Sequence, residues 1–458
     1  MGGRCMSRIP LTADAVAALS PDDASTKAAH GLVAPAKWPM LGASDAAVWG
    51  ECQGSGSKPY QTQVDVSGAG PTFRCSCPSR KFPCKHGLAL LLLQAQTPQT
   101  FTAAEPAWVS EWLASRQERA EKKEAKAAAP AVVADPAASA KREAHRVQRM
   151  AAGAQELALW LDDTSRKGLA AVSDSDGPAW ATVAARMVDA QAPGLGQRVT
   201  QAFAVVGQGR DWPARLLGRL GNLQLPVDAV AQRERLTPGL QADLRQALGW
   251  PIERDEVLAS GERVSDHWQV LAQVLVEREA RLTERRVWLQ GARSQRRALL
   301  VDFSFAGKAF EQGWSVGVPH SGTLAFYPSA DPLRALLADS SPVPDAAAPL
   351  PQAPSSAVEW TALATRMAAN PWAQSGPLWL DAVQLQYTAD AESPWWLWTE
   401  ARAIPLAIGE SDAWQLMAMA AGGPVSIFGE WTGESLRPLT AWSDVDRWVA
   451  TGVVGDNV

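Results

Sequence analysis

Between residues 75 and 86 the chain reads Cys75-Ser76-Cys77-Pro78-Ser79-Arg80-Lys81-Phe82-Pro83-Cys84-Lys85-His86, a C-x-C-x6-C-x-H spacing. Three of its five cysteines fall within these few residues; the others are Cys5 and Cys52. The start of the chain shows no basic stretch followed by an apolar run of secretory length, so a disulfide framework is a poor account of the cluster. Metal is the better one. Zinc takes four sulfur or nitrogen donors at the corners of a tetrahedron, and such donors must arrive from two directions. Here Cys75 and Cys77 leave a strand end, while Cys84 and His86 enter a helix start. Pro78 and Pro83 stiffen the loop between them. Four protein donors close the coordination sphere, so one structural Zn²⁺ is expected, with no open position for catalysis.

Three thiolates and a neutral imidazole around Zn²⁺ carry a formal charge of −1. Arg74, Arg80, Lys81 and Lys85 stand beside them, and no acid occurs between Asp65 and Glu105. Two roles suit these cations: compensation of the zinc–thiolate charge, and contact with nucleic-acid phosphates. The flanking text fits the geometry. Ala46–Cys52 and Tyr60–Val66 read as two strands around the glycine-rich Gly54–Lys58, with Thr62, Val64 and Val66 on one face and Gln61, Gln63 and Asp65 on the other. Thr72–Cys77 is a third short strand. Lys85–Gln96 is a helix whose Leu88 and Leu90 to Leu93 demand burial on more than one side.

This segment resembles a SWIM zinc finger, C-x-C, a spacer, then C-x-H on a β-β-α unit. The resemblance carries over as ligands Cys75, Cys77, Cys84 and His86, and it covers about residues 45–95. Trp49-Gly50-Glu51-Cys52-Gln53-Gly54-Ser55-Gly56, with Pro59-Tyr60 and Cys75-Ser76-Cys77-Pro78-Ser79-Arg80-Lys81, further resembles bacterial SWIM proteins of unassigned biochemistry. Those accompany MoxR-type ATPases and von Willebrand A-domain proteins, which are therefore the partners that the resemblance implies. For the finger itself it implies DNA or protein binding and nothing finer.

The rest of the chain is organised around two linkers. Residues 1–127 form the N-terminal domain, 128–138 an Ala/Pro linker after a charged helix (about Glu105–Ala128), and 139–339 a helical block followed by strands. Residues 340–356 are a proline-rich linker, and 357–458 a Trp-rich mixed region. Within the block, Leu157, Trp160 and Leu161, then Trp180, Val183 and Met187, then Leu216, Leu217 and Leu220 mark helices. His267–Val276, Arg286–Gln290, Ala298–Phe305 and Trp314–Val318 read as strands, as do Leu378–Tyr387 and Trp395–Thr399; Val358–Ala369 reads as a helix. The expected class is α+β and multidomain: an N-terminal β-β-α zinc unit, a central helical block and a C-terminal mixed α/β region.

Charge is uneven. Residues 1–104 hold nine Lys/Arg and six Asp/Glu, a balance of +3, which leaves −8 for the remainder of a chain whose net charge is −5. Polyanion binding along the whole molecule is disfavoured, and nucleic-acid contact, if any, is expected near the N-terminus. Gly54-Ser55-Gly56-Ser57-Lys58 lacks the spacing of a phosphate loop and precedes a strand. Cys52 reads as a small core residue. His30, His145, His267 and His320 are far apart and read as structural. Ten of the 21 tryptophans follow residue 355. Trp372, Trp379, Trp395, Trp396, Trp398, Trp414, Trp431, Trp442 and Trp448 read mainly as core; the alternative is a stacking groove for bases, sugars or a peptide, or a partner surface made by whichever face is exposed. The expected protein is a cytoplasmic, non-enzymatic zinc-finger adaptor for protein or nucleic acid, outside the membrane. A DNA-binding protein is the alternative, and an enzyme with a site in 139–458 the least favoured reading.

Overall fold

A computed structural model describes residues 16, 19–20, 23–54, 58–67, 71–79, 83–128, 136–278, 282–305, 310, 312–342, 352–389, 393–450 and 453–455. Cys5, Arg80 and Lys81 lie outside the described residues. The class is the expected α+β one, built from a finger unit, a helical bundle and two sheets.

The finger unit is an antiparallel meander of β1 (Met40–Ala43), β2 (Ala47–Cys52), β3 (Tyr60–Asp65) and β4 (Thr72–Cys75), paired in sequence order. β1 was not legible in the sequence. Val48, Val64 and Phe73 stand in register across three strands and pack with Trp38 on Leu88 and Leu90 to Leu93 of α2 (Lys85–Gln96), while α1 (Asp23–His30) contributes Ala29. The other face is covered too. Ala47 and Trp49 meet Val109 of α3 (Ala107–Ala128), and Arg116 reaches back to Asp65 at 2.8 Å and Thr72 at 3.3 Å. The alternation read in β3 is real, but both of its faces end up buried because a helix lies on each.

The bundle consists of α4 (Pro136–Lys167), α5 (Gly177–Asp189), α6 (Pro193–Phe203) and α7 (Trp212–Ala231), followed by α8 (Pro238–Ala247) and the short α9 (Arg254–Ser260). Each of α5 to α8 opens with a proline in its first two positions, where the missing N–H costs no hydrogen bond. Leu157, Trp180, Met187, Leu195, Val199, Leu216 and Leu223 form the shared core.

Five strands then close a small barrel. β5 (Arg263–Glu277), β6 (Leu282–Gly291) and β7 (Arg297–Phe305) form an antiparallel meander. β7 runs parallel to β9 (Arg334–Pro342), β9 pairs antiparallel with β8 (Pro319–Phe326), and β8 returns to the first half of β5. A bulge between Val270 and Ala272 bends β5 so that it serves two neighbours. The closure order, first-second-third-fifth-fourth-first, is that of an OB-type Greek-key barrel. The expected strand at Trp314–Val318 is instead a loop: Gly317 takes φ +80°, and Trp314 and Val316 insert into the barrel core. Their alternation imitates a strand because every second residue of the loop plugs the barrel end.

The C-terminal sheet has the order β12 (Ala403–Pro405), β11 (Trp395–Trp398), β10 (Gly376–Tyr387), β13 (Val425–Trp431), β14 (Leu436–Trp442), β15 (Arg447–Val449), with α10 (Ser356–Ala369) and α11 (Glu410–Ala420). It packs on the barrel through Trp288, Trp379, Phe428, Leu439 and Trp442. Glu430 accepts from Arg286 at 2.8 Å and from Trp288 Nε1 at 2.9 Å, while Glu359 takes both terminal nitrogens of Arg297 at 2.9 and 3.0 Å. The last strand, β16 (Val453–Gly455), leaves this sheet and pairs parallel with β5. Among the described residues no helix is long and apolar enough to cross a membrane.

Candidate metal centre

Cys75 ends β4 and Cys77 follows in the bend beyond it, so both sulfurs leave the same strand terminus. The bend is clamped by the residue between them: Ser76 Oγ accepts from the Gln61 N–H at 3.0 Å, and the Ser76 N–H donates to the Gln61 carbonyl at 2.9 Å. Cys84 occupies the N-cap of α2 with extended backbone, and His86 is the second residue of that helix. Close approach of helix and sheet needs Gly87, since a Cβ there would lie 2.7 Å from Phe73 Cδ1.

One ligand atom from each of Cys75, Cys77, Cys84 and His86 lies within 4.8 Å of all the others. His86 Nδ1 stands 3.8 Å from Cys75 Sγ and 4.0 Å from Cys84 Sγ. A zinc tetrahedron with bonds of about 2.0–2.3 Å has edges of about 3.5–3.8 Å, so the separations fit this ion. Cys84 and His86 are buried and the other two half-buried, as a centre sealed on one side requires.

The electrostatics of the four groups call for a cation. Hydrogen bonding to Cys75 and then to Cys84 holds the Cys77 thiol far below its usual range. Hydrogen bonding to Cys75 and Cys77, with burial added, holds Cys84 far above it. Burial pulls His86 down, but hydrogen bonds to Cys75 and Cys77 outweigh it and raise the imidazolium to about 9. Sulfurs this close share protons unless a divalent ion neutralises them; with the ion, all three bind as thiolates and the ring as neutral imidazole. A bound zinc supplies structural cross-linking of strand end to helix start.

Supporting residues were missed in the sequence. Thr62 Oγ1 lies 3.2 Å from Cys75 Sγ, and the Tyr60 ring packs on His86 at a centroid distance of 5.0 Å. Only strand register reveals them, Thr62 standing opposite Cys75 on the neighbouring strand. Cys52 is fully buried in β2 and stays outside the donor set; burial, then the nearby Cys75, pushes its thiol up to about 11. Of the four candidate phosphate contacts, Arg74 and Lys85 are exposed, whereas Arg80 and Lys81 fall outside the described residues.

The tryptophans do not line one groove. Trp372 packs in the bundle core, Trp379 and Trp442 between the two sheets, and Trp395 and Trp448 within the C-terminal sheet's own core. Trp396 and Trp398 point away from Trp395 and Leu397, as strand alternation requires. Trp414 is half-exposed against Tyr387 and Trp395, at 5.3 and 4.9 Å. His30, His145 and His267 are exposed, the last bonded to Ser321 at 2.7 Å, and His320 stacks on Trp314 at 4.6 Å.

A Cys₃His centre split between a strand end and a helix start defines the class: a structural zinc finger. More particularly, a family model for the SWIM zinc finger matches residues 60–94, and a second, for a SWIM-associated four-helix bundle domain, matches residues 145–248. The chain thus carries a SWIM zinc finger with one structural zinc site, joined to the bundle that accompanies such fingers. No curated protein and no solved structure matches the chain.

Proposed function

We propose that this protein is a non-enzymatic adaptor of the cytoplasm, in which zinc fixes a folded platform and the platform recruits a partner to a larger assembly. One observation carries the reading: all four donors of the centre come from the chain itself, Cys75, Cys77, Cys84 and His86, so the metal has no position left for a substrate. The half-exposed Tyr387 of β10 and Trp414 of α11, which pack on each other at 5.3 Å, offer the aromatic surface that protein contacts favour. A MoxR-type ATPase or a von Willebrand A-domain protein is the partner proposed from the resemblance of residues 49–81.

Exposed Arg74 and Lys85 support a second reading, in which the finger contacts DNA phosphates together with Arg80 and Lys81. A gel-shift series with duplex DNA and RNA across salt, beside a pull-down with purified candidate partners, separates the two. For the adaptor, Trp414→Ala weakens capture and the double substitution Arg74→Ala, Lys85→Ala leaves it unchanged. For the DNA reading, that double substitution weakens binding and flattens its salt dependence.

A further inference from the structure

The helical bundle holds a cavity that the zinc centre does not explain. It has a volume of 220 Å³ and lies where α4, the end of α7 and α8 meet. Val147, Met150, Val230, Leu244 and Leu248 give it an apolar lining, and the Trp250 indole forms a wall. The end of α8 positions that wall. Gly249 takes φ +78°, its N–H donates to the Gln246 carbonyl at 2.9 Å, and the Trp250 N–H donates to the Arg245 carbonyl at 2.9 Å. This is a Schellman stop, which folds the residue after the glycine back onto the last helical turn. It accounts for the Arg245 guanidinium, 4.4 Å from the centre of the Trp250 ring. It does not account for a second guanidinium, that of Arg146 on α4, at 4.7 Å from the same ring.

Among the described residues neither Arg146 nor Arg245 has a hydrogen-bond or ion-pair partner for its side chain, and the Nε of each is sealed from solvent. Partly buried arginines elsewhere in the chain are matched with carboxylates: Arg286 with Glu430, Arg297 with Glu359, Arg278 with Glu284. Two like charges on one indole repel, and stacking returns only about 0.5–2 kcal/mol to each. An anion brought in from outside relieves both. The mouth of the cavity limits how much charge that anion carries. Arg233 adds a third cation there, while Glu143 and Glu234 are exposed acids, and Glu234 approaches only its neighbour Arg233, at 3.9 Å. Three guanidinium groups against two carboxylates leave a net +1. One negative charge balances that; a polyphosphate brings too many. Size sets the rest. A dry cavity of about 150 Å³ admits benzene, so 220 Å³ has room for one ring with a short acid chain.

We propose that this cavity binds a small apolar acid, an aromatic or branched aliphatic body against the lining and Trp250, with a single carboxylate held by Arg245 and Arg146. Guanidinium forks suit that group, since they present paired donors to its two oxygens. The same chemistry comes from two sources: a free small acid, and the C-terminal residue of another polypeptide with its side chain and α-carboxylate. The site stands apart from the finger and its partner, because every residue in it belongs to the bundle or to the turn that follows α8.

The experiment uses the full-length zinc-loaded chain and isothermal titration calorimetry. The probes are 3-phenylpropionate and 4-methylpentanoate, their neutral amides, and the acetylated peptide Gly-Ser-Gly-Phe with its C-terminus free or amidated. At least one small acid is expected to bind, roughly tenfold or more tightly than its amide, with tripolyphosphate competing poorly. Arg245→Met keeps an unbranched apolar stem over Trp250; it is expected to raise Kd roughly tenfold or more while zinc content and melting temperature stay unchanged. Arg233 is exposed, so the fold does not depend on it, and Arg233→Ala should raise Kd about threefold even if the first variant fails to fold. A peptide that binds only with its carboxylate free supports a polypeptide terminus as the source. A peptide that does not bind, beside a small acid that does, supports the free acid. The proposal is overturned if neither small acid binds, if acid and amide bind alike, if tripolyphosphate binds more tightly than either acid, or if the arginine variants bind as the parent does.

Discussion

A methyl group added at Gly87 meets Phe73 Cδ1 at 2.7 Å, just where the metal-bearing helix approaches the sheet. Gly87→Ala should therefore cost the finger about 1–3 kcal/mol by overpacking, despite alanine's better helix propensity. A chelator-competition assay would read this as faster zinc release. Gly218, on the exposed side of α7 with nothing within 4 Å of a built Cβ, is the control: Gly218→Ala should stabilise the bundle by about 0.5–1 kcal/mol. His320 gives a pH signature away from the zinc. Its Nε2 is sealed from solvent without a partner, and burial pulls its pKa from 6.5 down to about 4. The unfolded chain takes up a proton here before the folded one does. Stability attributable to His320 is thus complete above pH 6.5 and drains away as pH falls toward 4, by about 2.5 kcal/mol at pH 4.5. His320→Phe, which keeps the stacking on Trp314, should remove that acid-dependent part of the urea-unfolding midpoint and leave the remaining carboxylate contributions.

At the level of elements, the two sheets are held in register by buried ion pairs as well as by apolar packing. Glu430→Ala strips Arg286 and Trp288 of an acceptor inside the interface and should cost about 3–5 kcal/mol, measured by denaturant unfolding followed through the tryptophans. Cys84→Ser should lose the zinc and unfold residues 45–95, seen by elemental analysis and by amide exchange confined to that unit. Much of the finger was legible beforehand because its signals are local. Donor spacing, the alternation of Thr62 and Val64, and the leucine run of α2 each depend on near neighbours, and all reappear in the fold. β1 was not legible, since Met40–Ala43 has no alternation of its own and is a strand by virtue of pairing with β2. β13 and β14 went unread for a related reason. Both faces of these strands are covered, which erases the polar half of any period. Trp314–Val318 went the other way, its alternation belonging to a plug. Phe303 and Phe305 were read inside a strand, but which side would face water could be seen only once the barrel had closed.

For the molecule as a whole, the bundle is fastened to the C-terminal region by a buried anchor and exposed polar contacts around it. Trp372 enters the bundle core, Arg198 donates to the Trp372 carbonyl at 2.6 Å, and Arg219 approaches Glu434 at 3.3 Å. Trp372→Ala should cost about 3–5 kcal/mol and separate the melting of the bundle from that of the sheets in calorimetry. β16 carries a further consequence. Val453 to Gly455 lie beside Leu275 to Glu277, so the second half of β5 keeps an open edge until the whole C-terminal sheet between them has been synthesised. A nascent chain stalled after the barrel strands would present a bare hydrogen-bonding rim to its neighbours, the kind of edge that chaperones shield and that otherwise templates aggregation.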